Sequence, residues 1–175
     1  MYHEIERKFL IADMPSLKGI RKISQERYFI QRSELFEEEM KRKGLFFSYE
    51  SKFAISKKEK IRERTFVSKS EFERLKVQGT DVIRRDSYAL TKKSPVVSIK
   101  KYLNNYSGLV LAEVLFDTVK EMEMFTPFEW MGVEVTDTSI GKDSRLIDLS
   151  RDEFKRILAS IQDDYSAGIE TGNFL

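Results

Sequence analysis

The sequence predicts an α+β fold in which antiparallel β-structure dominates. Three observations carry that expectation. About eight short segments show strand-like patterning, three Ser/Thr-x-x-Glu capping boxes open short helices, and no Pro/Gly/Ser-rich linker or internal repeat divides the chain. At 175 residues the chain is long enough to bury a real core. Residues 1–165 are read as one domain and 166–175 as a tail.

The elements follow in order. Tyr2–Ile11 alternates before turning apolar, which places Ile5 on one face of a strand and Glu4, Glu6 and Lys8 on the other. Lys22–Gln31 is a second strand. Phe36–Lys43 and Leu45–Phe53 form a hairpin that turns near Gly44. Residues 56–60 are a charged, solvated loop before a strand over Ile61–Val67. Ser68 and Glu71 cap a helix from about Lys69 to Val77, with Gly79 near its end. Strands over Ile83–Leu90 and Val96–Leu103 precede a turn at residues 104–108, and Leu109–Phe116 is a further strand. Thr118 and Glu121 open a helix that stops by Pro127, and Met131–Thr136 is a short strand. Ser150 and Glu153 open the last helix, whose apolar face is Phe154, Ile157, Leu158 and Ile161. Closing such a sheet would remove its edges and enclose a ligand-sized channel.

Composition narrows the function. Lys and Arg number 31 and Asp and Glu 29, a net charge of +2, which does not suggest a nucleic-acid binder. Cysteine is absent and His3 is the single histidine, so thiolate chemistry and His or Cys metal clusters are excluded. A metal would be held by carboxylates, as suits Mg²⁺, Mn²⁺ or Ca²⁺. No apolar stretch is long enough to span a bilayer and the N-terminus carries no signal-peptide pattern, so a cytoplasmic protein without membrane contact is expected.

Glu4, Glu6 and Lys8 project from one strand face at steps of about 7 Å. Neighbouring carboxylates repel unless a cation lies between them, and a divalent metal would supply it while Lys8 reached a phosphate oxygen. The same spacing also suits a solvent-exposed face. Glu113 within Leu109–Phe116, and Glu134 within Met131–Thr136, face either solvent or a polar interior.

Glu4-Ile5-Glu6-Arg7-Lys8 resembles the ExExK signature of the CYTH superfamily, the triphosphate tunnel metalloenzymes. Residues 108–114 resemble that family's "GL.lAEVEF" strand, and residues 127–137 its "P.WlG.EVTd" segment. The resemblance implies a closed eight-stranded tunnel barrel with a few short flanking helices. It implies a triphosphate-containing small molecule as substrate, and Mg²⁺ or Mn²⁺ as cofactor. By position, Glu4, Glu6, Glu113 and Glu134 would be metal ligands or water-orienting carboxylates. Glu4, Glu6 and Lys8 would carry catalysis, and Lys8, Lys41, Lys52, Arg62, Arg64, Arg85 and Lys100 would face the substrate. A one-residue slip would turn Arg42 inward in place of Lys41. The activity implied is metal-dependent triphosphate hydrolysis. A non-catalytic polyphosphate- or nucleotide-binding protein and an adenylyl cyclase are the alternatives. A homodimer would have to use helices or apolar patches.

Several positions depart from the family pattern. Leu115 replaces a glutamate, and Arg62 and Arg64 stand where an acidic pair is expected, unless a shifted register makes Glu63 the match. Ser87 replaces an arginine and Lys100 an acid, and residues 140–143 lack the "RY.N" pattern. These changes remove acids and add cations, which favours anion binding over metal binding.

Overall fold

The computed structural model describes residues 1–76 and 82–170. The expected helix end at Val77 and Gly79 therefore lies outside the described residues. The strands are β1 (Tyr2–Ile11), β2 (Lys22–Arg32), β3 (Phe36–Lys43), β4 (Phe46–Ala54), β5 (Glu59–Val67), β6 (Val82–Ala89), β7 (Val96–Tyr102), β8 (Val110–Phe116) and β9 (Met131–Glu134). The helices are α1 (Lys69–Leu75), α2 (Val119–Met124), α3 (Asp143–Leu146) and α4 (Arg151–Glu170). The predicted elements appear within a few residues of their expected ends. Two differ in kind. The four-residue helix α3 was not foreseen. Helix α4 also continues through residues 166–170, which the sequence suggests are tail; residues 171–175 lie outside the described residues.

The sheet order is β5-β4-β3-β2-β6-β7-β8-β1-β9, and β1 pairs again with β5. That second pairing closes an eight-stranded antiparallel barrel. Strand β1 makes the closure possible by splitting its far edge. Its residues 2–5 pair with β5, while Phe9 and Ile11 pair with β9, which lies outside the ring. The tight β3–β4 turn uses Gly44 at φ +61°, a conformation that glycine enters without a Cβ penalty.

Period-2 alternation divides each strand between bore and exterior. On the outer face of β1, Ile5 and Phe9 pack with Val97, Val114, Phe116 and Met122 beneath α2. On the outer face of β3, Met40 is fully buried with Tyr28 and Phe72 under α1. Ser68 caps α1 by accepting from the Glu71 amide at 3.1 Å, as the capping box predicts. The bore itself changes character along its length. Glu4, Glu6 and Lys8 line a charged section, but Leu10, two residues further on, joins Phe29, Ile83, Leu111, Ile140, Leu146 and Phe154 in an apolar plug. Ile157, Leu158 and Ile161 of α4 pack against that plug, as their spacing predicts. One end of the barrel is thus sealed by hydrophobic burial and the other is left open.

The link from β9 into α3 depends on Gly141. A Cβ there would lie 1.7 Å from the Val135 carbonyl oxygen. Gly141→Ala is expected to cost about 1–3 kcal/mol through overpacking. Urea unfolding checks this, and an unchanged midpoint would refute the close approach.

Candidate functional site: a charged channel

The open section of the bore is a cavity of about 440 Å³ lined by residues of all eight ring strands and by Lys142 and Asp143. Its open end lies beside Tyr2, Ile23, Lys43, Arg64, Val96 and Phe116. A second cavity of about 300 Å³ adjoins it and shares Glu37, Lys52, Lys60 and Lys142, giving a side opening between the β2–β3 turn and α3. Cations outnumber carboxylates on this lining.

Ten of the eleven residues expected at the site line this cavity: Glu4, Glu6, Lys8, Lys41, Lys52, Arg62, Arg64, Arg85, Lys100 and Glu113. Lys41 is the buried member of its pair, and Arg42 points outward to Glu26 at 3.2 Å, which settles the β3 register. Arg62 and Arg64 face inward, and Glu63 is exposed on the other face. Glu134 does not join the rest. It sits on β9, outside the closed ring, where Arg7 grips both its oxygens at 3.1 and 2.6 Å and Lys58 adds a contact at 3.2 Å. Those cations hold its pKa down at about 2 against the opposing effect of burial. Glu134 is a clamp between β9 and the outer face of β1.

The acids of the channel are each claimed by the protein's own cations. Glu4 pairs with Arg62. Glu6 accepts from Lys60 Nζ at 2.9 Å and lies 3.5 Å from Lys8 Nζ, and these two ammonium groups outweigh burial and hold its pKa well below the ordinary range. Glu113 lies 3.2 Å from Lys100 Nζ and 3.8 Å from Arg85, and its pKa is likewise lowered against burial. Lys8 also donates to the Gly141 carbonyl at 3.0 Å. Among the described residues no three acids converge in a group that could hold a metal ion. The donor set as arranged therefore does not fit Mg²⁺ or Mn²⁺. Guanidinium and ammonium groups occupy the positions between the carboxylates.

Two further clusters were not foreseen. At the floor, Asp143 at the start of α3 receives Arg27, Arg85 at 3.1 Å and the Tyr102 hydroxyl at 2.5 Å. Arg27 continues to Glu39, and Lys52 lies 3.2 Å from the same carboxylate. On the β3–β5 wall, Glu50 gathers Arg64 at 2.6 Å, Arg62 at 3.4 Å and Lys41 at 3.6 Å. Three buried atoms of this wall, Glu39 Oε1, Glu50 Oε2 and Arg62 Nε, make no hydrogen bond among the described residues, although buried polar groups are normally satisfied.

Crowding marks the cations. Burial, with help from Arg62 and Lys52, drives the Lys41 pKa down to about 7 despite Glu50 and Glu39. Burial and Arg85 bring Lys100 down to about 8. Lys52 is lowered by burial and by Arg27 and Arg62. In each case burial is the larger cause and the neighbouring cations add to it, against the pull of the paired carboxylates.

A closed eight-stranded antiparallel barrel with a charged bore defines a tunnel-barrel protein. Among solved structures it is similar to two crystal structures of NE1496, one described as that of an inorganic triphosphatase. Each superposes with a TM-score of 0.60 at 22% identity, covering 84% or 86% of this chain and 99% or 98% of NE1496. PH1012 from Pyrococcus horikoshii OT3 gives a TM-score of 0.53 at 16% identity, over 69% of this chain and 82% of that one. These are likenesses of fold. No family model matches the chain, and no curated protein matches it in sequence. Among the described residues no helix is long and apolar enough to cross a membrane.

Proposed function

We propose that the channel binds the phosphate chain of a triphosphate or longer polyphosphate. The observation that carries this reading is the excess of Lys and Arg over carboxylates on the lining of one cavity; burial first, and then neighbouring cations, disfavour the protonated forms of Lys41, Lys52 and Lys100. A polyanion would relieve that repulsion, and charge-assisted bonds from Arg and Lys to phosphate oxygens are strong. The unpaired donor Arg62 Nε points to the same chemistry. The shared fold with an inorganic triphosphatase supports it.

Hydrolysis of that triphosphate with Mg²⁺ or Mn²⁺ is the second reading. It is favoured by Glu4, Glu6 and Glu113 lying in one bore on the paired strands β1 and β8. It requires Arg62, Lys60 and Lys100 to release those acids, so binding without metal is the primary expectation.

Tripolyphosphate titrated by calorimetry, first with EDTA and then with Mg²⁺ or Mn²⁺, tests both readings. Binding in EDTA supports the first. Phosphate release that needs metal and is lost in Glu4→Ala supports the second, and cyclic AMP formed from ATP would mark a cyclase instead. Absence of binding at millimolar ligand under every condition would overturn the proposal. The pH dependence is also set. Lys41 faces Glu50, Glu39, Arg62 and Lys52 and loses its proton near pH 7. Affinity should therefore fall as pH rises from 6 to 8.5, and binding above pH 7 should take up protons from the buffer. A flat profile would contradict that assignment.

A further inference from the structure

Most lysines that line the channel are committed to close partners. Lys8 donates to the Gly141 carbonyl at 3.0 Å, Lys60 to Glu6 at 2.9 Å and Lys100 to the Ser87 hydroxyl at 2.8 Å, while Lys52 lies 3.2 Å from Glu39. Lys41 is held more loosely. Its ion partner, Glu50 Oε2, stands at 3.6 Å, beyond hydrogen-bond reach. That oxygen is itself one of the buried atoms without a hydrogen bond among the described residues. The Lys41 side chain is buried, yet it lines the cavity one inward step from Lys43 at the open end. Arg27 is its register partner on β2, and Arg62, Lys52, Glu50 and Glu39 act on it from β5, β4 and β3. A buried amine beside other cations is the setting in which lysine serves as a nucleophile.

We propose that Lys41 is a nucleophilic amine that condenses with an anionic aldehyde in the channel to form an imine. The site goes beyond polyphosphate binding and does not depend on it. A cavity of about 440 Å³ is within the range of small-molecule sites. Arg62 and Arg64 supply the selection for an anion. Both line the cavity and both reach Glu50, at 3.4 and 2.6 Å, so an acidic group held by them lies beside Lys41. Arg62 Nε brings an N–H that is not yet bonded. The reaction balances without oxidant, reductant or cofactor. The Nζ lone pair adds to the carbonyl carbon, and a proton passes from nitrogen to the carbonyl oxygen to give a carbinolamine. That oxygen then leaves as water with the second amine proton, and the C=N bond closes. Glu50 Oε2 is placed to relay the proton between nitrogen and oxygen. The Lys41 pKa, pushed down to about 7, supplies the unprotonated amine that the first step needs near neutral pH.

The probe is pyridoxal 5′-phosphate, compared with pyridoxal, which lacks the phosphate. Each is incubated with the wild type in EDTA, the imine is reduced with borohydride, and the adduct is located by intact mass and peptide mapping. The expected result is a single adduct, on Lys41. The phosphorylated aldehyde should reach it at about tenfold lower concentration than pyridoxal, the least that a charge-assisted bond to phosphate should contribute. Labelling should speed up as pH rises through 7 and then level off, because the amine has shed its proton. An exposed lysine instead gains reactivity up to about pH 10.4. Lys41→Met should remove the adduct, and if that variant does not fold the wild-type peptide map decides alone. Absence of an adduct, labelling spread over exposed lysines such as Lys57 and Lys92, or equal labelling by the two aldehydes would overturn the assignment. So would a folded Lys41→Met variant labelled like the wild type. Tripolyphosphate binding without an adduct would end this inference and leave the channel reading standing.

Discussion

Asp143→Asn is expected to destabilise the protein by about 3–5 kcal/mol, the range for removing one partner of a buried ion pair. The carboxylate holds Arg27, Arg85 and the Tyr102 hydroxyl at the boundary between the charged bore and the apolar plug. Burial alone would raise its pKa, but the two guanidiniums and Lys8 reverse that and hold it well below the ordinary range. Asparagine keeps the shape and one acceptor oxygen yet leaves two buried guanidinium groups short of their counter-charge. A domain of this size should lose about 10 °C in melting temperature for such a change. The sign of the pH dependence follows from the lowered pKa. The stabilisation from Asp143 is complete above the unfolded value near 3.8 and is lost as pH falls below it toward the folded value. The wild-type advantage over the variant should therefore be constant from pH 7 to about 5 and vanish in strong acid. A variant within about 1 kcal/mol of the wild type at pH 7 would show that the cluster does not tie α3 to the barrel.

Alternation made much of this arrangement legible. A strand whose exterior is Ile5 and Phe9 must aim Glu4, Glu6 and Lys8 the other way, whereas the apolar run around Glu113 leaves its one acid facing either solvent or a polar interior until barrel closure places it in the bore. The β3 strand resists the same treatment because both of its faces carry charge: Glu37, Glu38 and Glu39 are consecutive, as are Lys41, Arg42 and Lys43. Its one informative residue is Met40, whose burial beneath α1 sends Glu39 and Lys41 into the bore. Knowing that requires the helix packing, which no local pattern contains. Glu134 fails for a topological reason. Its segment alternates like any strand, but β9 pairs with β1 only beyond the point where β5 has left it, so its acid meets Arg7 and not the cavity. Asp143 and Lys60 were hidden differently. The first lies on a single-turn helix too short to show a period. The second lies in a charged run that reads as loop until β5 is seen to begin at Glu59.

Lys41→Met should separate stability from ligand binding. The ammonium group is buried among Glu50, Glu39, Arg62 and Lys52, with a pKa pushed down to about 7. Replacing it with an apolar chain of similar length removes a desolvated charge, while Glu50 keeps Arg62 and Arg64 as partners. Removing one partner of a buried pair ordinarily destabilises. At Lys41, however, burial and the neighbouring cations outweigh the attraction to Glu50 and Glu39, so the variant is expected to be at least as stable as the wild type below pH 7. Here the folded pKa is lowered below the unfolded value of 10.5, so the wild-type penalty is complete below pH 7 and disappears as pH climbs toward 10.5. The gain in the variant should follow the same course. Binding moves the opposite way. A phosphate oxygen that loses a charge-assisted bond gives up about 1.5–3 kcal/mol, so tripolyphosphate affinity at pH 6 should drop by about 10- to 100-fold. The pH dependence of the remaining affinity should flatten, because the group that titrates near pH 7 is gone. Melting curves and calorimetry on the same samples decide the matter. A variant that is less stable and binds as well as the wild type would show that Lys41 serves the fold and not the anion.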